Sequence, residues 1–149
     1  MREAVICFVV IDGKILMINR NNPPFMGMWN AVGGKVEKGE TPEDACVREV
    51  FEEGGIKIPV PERISRFTWN YDDEIGYAFE VEVNPTNIEF PFNTEEGIID
   101  LKPIEWVLDR KNYGVIEDLR VFLNDIKKGE KHDYHLIYDD SKLVDCILK

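Results

Sequence analysis

Short apolar runs separated by turn residues occupy the first third of the chain. Apolar residues fill positions 4–11 and dominate 14–18, and the Asp12-Gly13 pair between them suits a type I′ turn. This pattern predicts a β-hairpin. A further short strand is predicted over 29–32, ending at Gly33-Gly34.

The clearest helix signal covers residues 41–54. Thr41 is a favourable N-cap, Pro42 occupies the first helical position, and Asp44 is the acidic partner of a capping box. The glycine pair 54–55 ends the helix. Its predicted core face consists of Val47, Val50, Phe51 and Gly54.

The rest of the chain predicts five strands and one more helix. Strands are expected at 63–69 and 77–83 around a turn at 70–76, a long loop at 84–101, and a strand at 104–108. Residues 115–126 form an amphipathic pattern that ends at the Lys-Lys-Gly sequence 127–129. A closing hairpin is predicted from 134–138 and 143–148. The expected fold class is α+β, a strand-rich sandwich with two helices.

Size and charge limit the number of domains and the classes of binding partner that the chain can have. The 149 residues (17.3 kDa) are expected to form a single domain, 1–149. With 29 acidic and 18 basic residues, the net charge of −11 disfavours binding to polymeric nucleic acid. An anionic substrate would be repelled as well unless a cation lay between it and the protein.

Cysteine usage and hydropathy favour the cytoplasm. Cys7, Cys46 and Cys146 are scattered and lack C-x-x-C spacing, so neither a disulfide framework nor a zinc site is predicted. No segment approaches the roughly 18 apolar residues of a membrane span.

Three glutamates share one face of the helix at 41–54. Glu49 meets Glu52 and Glu53 at i+3 and i+4, where like charges cost a few tenths of a kcal/mol per pair. A hard divalent cation such as Mg²⁺ would turn this repulsion into a binding site, with Arg48 reaching Glu52 at i+4. The alternative is a solvated acidic face.

The wider spacing resembles the Nudix box. Gly34 is followed after five residues by Glu40, and after seven more by Arg-Glu-Val-Phe-Glu-Glu-Gly-Gly-Ile at 48–56. With the box at 34–56, the chain is similar to the Nudix hydrolases, which use Mg²⁺ (or Mn²⁺) to hydrolyse a nucleoside diphosphate linked to another group. The fold that the resemblance implies is a mixed β-sheet sandwiched between helices (α/β/α).

The resemblance also implies roles. Gly33 would offer a backbone carbonyl to the metal, Gly34 would allow close approach, and Glu40 would support the metal site or pair with Arg48. Glu49 is the candidate for orienting or deprotonating water, although the choice among the three glutamates stays open. The implied catalytic residues are Arg48, Glu49, Glu52 and Glu53, and the implied metal ligands are Gly33, Glu49, Glu52 and Glu53.

Residues outside the box are similar to the MutT-type branch, which acts on oxidised purine nucleoside triphosphates. The resemblance is carried by Phe25, by Trp-Asn-Ala-Val-Gly-Gly-Lys-Val at 29–36 and by the segment 135–146. The chain also starts close to its first strand, whereas related ADP-ribose and nucleotide-sugar enzymes usually carry an added N-terminal segment. The implied substrate-binding residues are Arg20, Phe25, Asn30 and Lys35.

Several interpretations stay open. Trp29 is either a core aromatic or a ligand contact, and Arg20 and Lys35 are either phosphate ligands or solvated cations. Glu95 or Glu96 would join the metal site in several relatives, and the pair Glu117-Asp118 is only a loose counterpart of the acidic residues that read the purine.

The leading expectation is an enzyme that cleaves 8-oxo-dGTP or a similar triphosphate to a nucleoside monophosphate and pyrophosphate. The alternatives are hydrolysis of another nucleoside diphosphate-linked substrate (an unmodified triphosphate, a dinucleoside polyphosphate or a nucleotide sugar) and a catalytically silent nucleotide-binding module. The expected partner is a small nucleotide, with no membrane, and the oligomeric state is left open.

Overall fold

The computed structural model describes residues 2–71, 73–84 and 87–149. Both terminal hairpins and the two long helices are present, as predicted. The elements are β1 (Arg2–Ile11), β2 (Lys14–Arg20), β3 (Trp29–Lys35), α1 (Pro42–Gly54), β4 (Glu62–Trp69), β5 (Glu74–Val83), β6 (Phe92–Asn93), β7 (Gly97–Pro103), α2 (Ile104–Leu108), α3 (Asp118–Lys128), β8 (Tyr134–Asp139) and β9 (Lys142–Leu148).

The described strands join in one mixed sheet in the order β6-β7-β2-β3-β1-β5-β4-β8-β9. β1 pairs with β5 and β4 pairs with β8 in parallel, and the other neighbours are antiparallel. β3 lies between the arms of the first hairpin, because β1 and β2 pair directly at only two positions beside the turn. The turn residues Asp12 and Gly13 have φ values of 51° and 75°, as a type I′ turn requires.

Alternate residues of β1 point to opposite faces of the sheet, and both faces are covered. Val5, Cys7 and Val9 pack toward α1, whereas Phe8 packs against Phe122 on α3. Burial on both faces explains why β1 reads as a continuous apolar run. The helices therefore sandwich the sheet, which confirms the predicted α/β/α arrangement.

The capping box of α1 is formed as predicted. The Asp44 N–H donates to Thr41 Oγ1 and the Thr41 N–H donates to Asp44 Oδ2, each at 3.1 Å. Gly55 ends the helix with φ 69°. The predicted core position of Phe51 is wrong: its side chain is half exposed, because Ala45, Cys46 and Val50 supply the face that meets the sheet.

Two predictions in the second half are wrong. Residues 104–108 form α2 rather than a strand, because Ile104 follows directly on a strand that ends at Pro103 and the chain turns onto α3. The predicted loop 84–101 contains β6 and most of β7, which pairs along the whole of β2. Positions 85–86 of that loop and position 72 of the predicted turn lie outside the described residues.

α3 begins at Asp118, later than predicted. The preceding Val115 pairs with Trp29 in a β-bridge, and the Ile116 N–H donates to the Trp29 carbonyl, so these residues extend the sheet pattern. Within the described part of the chain, no helix has the length and apolar character needed to cross a membrane.

Candidate active site

The approach of β3 to the neighbouring elements depends on two glycines. A Cβ atom at Gly33 would lie 2.0 Å from the Val5 carbonyl oxygen on β1. A Cβ atom at Gly34 would lie 2.5 Å from both the carboxyl carbon and Oε1 of Glu49. At Gly33 the clash would be with backbone, so only glycine fits there, whereas a side chain at position 34 would have to displace the Glu49 carboxylate on α1.

Arg48 binds the carboxylates on this side of α1. Its Nε and Nη2 donate to the two oxygens of Glu40 at 2.8 and 3.0 Å, in a bidentate pair. Its Nη1 donates to Glu49 Oε1 at 2.7 Å and to Glu52 Oε2 at 3.3 Å. Hydrogen bonding and charge from Arg48, with a backbone hydrogen bond from Glu37, lower the pKa of Glu40. The predicted contacts of Arg48 with Glu40 and Glu52 are therefore present.

Glu53 differs from Glu40 in the direction of its pKa shift, which is upward. The pKa of Glu53 is raised to about 9, mainly by burial. A hydrogen bond with Glu49, repulsion from Glu49 and the charge of Glu96 add to the rise, whereas a backbone hydrogen bond at Gly33 opposes it. A buried carboxyl beside other carboxyls is one that a cation would stabilise in its ionised form.

One cavity of about 940 Å³ joins the box to the far side of β3. It brings together almost all the predicted site residues, and Glu95 and Glu96 from the β6–β7 connection lie at its edge. The predicted residues in its lining are Arg20, Phe25, Asn30, Gly33, Gly34, Lys35, Glu49, Glu52 and Glu53. Arg48 and Glu40 are not in this lining; Arg48 binds Glu49, and Glu40 binds Arg48.

At the other end of the cavity, Asn30 and Asp118 line the same space as Phe25 and Trp69. The Asn30 Oδ1 accepts a hydrogen bond from the Ala31 N–H at 2.8 Å, which directs the Nδ2 group away from the backbone. Asp118 is buried, and desolvation raises its pKa to about 6, although the nearby Tyr138 and Trp69 side chains oppose the shift.

The sequence offered Asp118 only as part of a loose counterpart, with Glu117, of the acidic residues that read the purine. It is the first residue of α3, and the docking of α3 on the sheet places it in the same cavity lining as Asn30. The signal in the sequence that could have indicated this position is an acidic residue at the start of a strongly amphipathic helix, next to apolar residues.

Trp29 has a packing role. Its ring meets Trp106 edge-on at a centroid distance of 6.1 Å, and the Lys102 ammonium lies 4.6 and 4.9 Å from the two ring centroids. This supports the interpretation of Trp29 as a core aromatic rather than a ligand contact.

The family model described as NUDIX domain matches residues 1–119. The chain belongs to the Nudix family. Its fold agrees, since a MutT protein from Bacillus halodurans superposes over 100% of this chain and 98% of its own with a TM-score of 0.78 at 22% identity.

Two Nudix relatives differ in the activity for which they are named. An ADP-ribose pyrophosphatase from Methanocaldococcus jannaschii is 56% identical over 70 residues, which cover 47% of this chain and 41% of the relative. An oxidized purine nucleoside triphosphate hydrolase from Mus musculus is 34% identical over 70 residues, which cover 42% of this chain and 45% of the relative. The chain thus matches less than half the length of either relative.

Proposed function

We propose that this Nudix protein is a pyrophosphohydrolase of oxidised purine nucleoside triphosphates such as 8-oxo-dGTP. Water would add to a phosphorus atom of the triphosphate and the anhydride bond would break, which releases a nucleoside monophosphate and pyrophosphate. The observation that carries the proposal is the single cavity that holds the box glutamates at one end and Asn30 with Asp118 at the other.

The residues at the box end fit a divalent cation. Nudix hydrolases use such ions, and here the donors are carboxylate oxygens, the ligands that Mg²⁺ and Mn²⁺ prefer. The raised pKa of the buried Glu53 suits an ion held by Glu49, Glu52, Glu53 and the Gly33 carbonyl, and Gly34 lets the β3 backbone approach Glu49 with no side chain between them. When bound, the ion would neutralise phosphate charge and lower the pKa of water.

The remaining steps belong to the chain's own residues. Glu49 would orient the attacking water or take its proton, because Arg48 fixes this carboxylate at the cavity wall through a 2.7 Å hydrogen bond. Glu40 would hold Arg48 in place. Arg20 and Lys35 line the same cavity and would bind phosphate oxygens.

The far end of the cavity would recognise the base. Asn30 Nδ2 is a donor suited to a ring carbonyl, and a carboxylate at Asp118 accepts from ring N–H groups. Phe25 and Trp69 supply the apolar walls that a flat base requires.

A second candidate is hydrolysis of another nucleoside diphosphate-linked compound. The 56% identity to a relative named ADP-ribose pyrophosphatase favours this alternative. A catalytically silent nucleotide-binding module is less favoured, because all the glutamates of the box are retained.

The proposal also covers the domain organisation, the cellular location and the class of partner. It includes a single domain over residues 1–149 in the cytoplasm, where the described free cysteines would stay reduced. The net charge of −11 is compatible with a small nucleotide bound through a metal ion and disfavours polymeric nucleic acid.

The deciding experiment is a hydrolysis screen of 8-oxo-dGTP, the unmodified triphosphates, ADP-ribose and diadenosine polyphosphates, with Mg²⁺, with Mn²⁺ and with neither. We expect metal-dependent release of pyrophosphate with the highest kcat/KM for 8-oxo-dGTP. Asn30→Ala should lower the preference for the oxidised base, while Asn124→Ala, an exposed position on α3, should leave it unchanged. Faster hydrolysis of ADP-ribose would favour the second candidate, and nucleotide binding without turnover would revive the silent module.

A further inference from the structure

Three side chains with metal-ligating groups converge at the C-terminal end of α3, apart from the Nudix box. Asp125 lies in the last turns of α3, and Glu130 and His132 lie in the segment that leads into β8. One ligand atom of each lies within 4.8 Å of those of the other two. Among the described residues, these form the one such set of three, and we propose that they bind a first-row divalent transition ion such as Zn²⁺.

The backbone prepares this site before any ion binds. Gly129 adopts the left-handed conformation with φ 69°, and its N–H donates to the Ile126 carbonyl at 3.1 Å. The next N–H, of Glu130, donates to the Asp125 carbonyl at 2.9 Å. This return of the chain places Glu130 over the end of α3, where the carbonyl ends of the helix also favour a cation.

The His132 side chain directs a ligand atom at Asp125. The side chain is 34% exposed, but its Nδ1 atom is shielded from solvent and makes no hydrogen bond among the described residues. It lies 3.4 Å from Asp125 Oδ1. Ligand atoms at about 2.1 Å from a tetrahedral ion are about 3.4 Å from each other, so the spacing of these two atoms already suits one edge of such a site.

The second oxygen of Asp125 has its own partner. The buried Tyr134 hydroxyl donates to Asp125 Oδ2, which leaves Oδ1 for an ion. Carboxylates that bind metals are commonly held in this way by an outer hydrogen bond. The nearby cation Lys131 pairs with Glu62 on β4.

The donor set determines which ion fits. One imidazole and two carboxylates suit Zn²⁺ and its first-row neighbours, whereas Mg²⁺ prefers oxygen ligands and keeps several waters. Three protein ligands leave the fourth tetrahedral position for water, and the exposed Glu130 side chain keeps the site open to solvent. The ion would tie the end of α3 to the start of β8.

The test is Zn²⁺ titration by calorimetry on protein without an affinity tag, with millimolar Mg²⁺ present to occupy the box. The wild-type protein should bind one Zn²⁺ that Mg²⁺ does not displace, and Co²⁺ substitution should give tetrahedral absorption bands. His132→Gln and Glu130→Gln should each weaken binding at least tenfold. The matched control is His135→Gln, since His135 Nδ1 already bonds Thr68 Oγ1 at 2.8 Å on β4.

Other outcomes would overturn the proposal. Equal Zn²⁺ affinity in the wild-type and His132→Gln proteins would exclude this site, as would loss of binding only in Glu53→Gln or only in Cys146→Ser. Because Glu130 is exposed, Glu130→Gln should fold normally even where the histidine variant does not. The readout is independent of hydrolysis, so failure of the proposed activity would leave the result intact.

Discussion

The backbone of Gly34 and the carboxyl group of Glu49 are in direct contact. A side chain at position 34 would begin 2.5 Å from the Glu49 carboxyl carbon, which is far inside van der Waals contact. Gly34, which begins the box, and Glu49 on α1 are therefore in steric contact, although fourteen residues (35–48) lie between them in the chain.

Gly34→Ala should lower kcat strongly, because the new methyl group displaces the Glu49 carboxylate from the cavity wall. Hydrolysis rates and thermal unfolding would be measured together. Gly114→Ala is the matched control, since its Cβ would meet nothing closer than 3.5 Å. Equal activity in Gly34→Ala and the wild-type protein would contradict a catalytic role for the position of Glu49.

Glu53→Gln should reduce hydrolysis by about a hundredfold or more while the fold is retained. Burial is the main cause that raises the pKa of Glu53 to about 9. The metal-free protein therefore carries this carboxyl protonated near neutral pH. A neutral amide of the same shape should then change the melting temperature little. Near-wild-type turnover would contradict the assignment, and Glu43→Gln in the first turn of α1 serves as the control.

Glu40→Gln should lower kcat about tenfold, because it removes the bidentate partner that orients Arg48. The comparison is Glu37→Gln, whose exposed carboxylate lies 3.8 Å from the same guanidinium and should matter little. Similar rates in the two variants would show that the orientation of Arg48 does not depend on Glu40.

The stability of the protein should depend on pH through Asp118. Burial raises its folded-state pKa from 3.8 to about 6, so between these values the folded protein holds a proton that the unfolded chain has lost. The free energy of unfolding should therefore fall as pH rises from about 3 to 7, by about 3 kcal/mol from this group, and then level off.

Asp118→Asn tests this dependence because it removes the titrating group. Urea unfolding at pH 4 and pH 7 should show the variant gaining about 2 kcal/mol on the wild-type protein between the two values. Asp73→Asn, at an exposed position, should show no such gain. If the free energies of unfolding of the variant and the wild-type protein differ by the same amount at pH 4 and pH 7, the raised pKa of Asp118 is contradicted.

The sequence predicted the elements whose signals are local. The α1 capping box and the Asp12-Gly13 turn depend on adjacent residues, and both formed as expected. Residues 104–108 were misassigned because a five-residue segment with four apolar residues fits a strand or a helical turn equally well, and packing on α3 decides between them. β7 was missed because its pairing with β2 joins segments some eighty positions apart.

The residues of the candidate site also differ in whether local sequence signals or long-range contacts bring them together. Glu49, Glu52, Glu53 and Arg48 lie on one helix, so their spacing alone placed them together. Asp118 reaches the cavity only through the docking of α3, and the set around Asp125 needs the chain to return at Gly129. Contacts of this kind have no periodic signature in the sequence.

β3 carries both Asn30, the proposed base contact, and Gly33, the proposed metal ligand, and it pairs with β2 over its first half and with β1 over its second. Three residues of extended backbone span about 10 Å, and pairing with the two neighbouring strands leaves this length almost invariant. The strand would therefore fix the distance between the proposed base contact and the proposed metal site, and this distance would select substrates by length. Under the proposed roles, a nucleotide whose susceptible phosphorus lies much nearer to or farther from its base would engage one end of the cavity and miss the other.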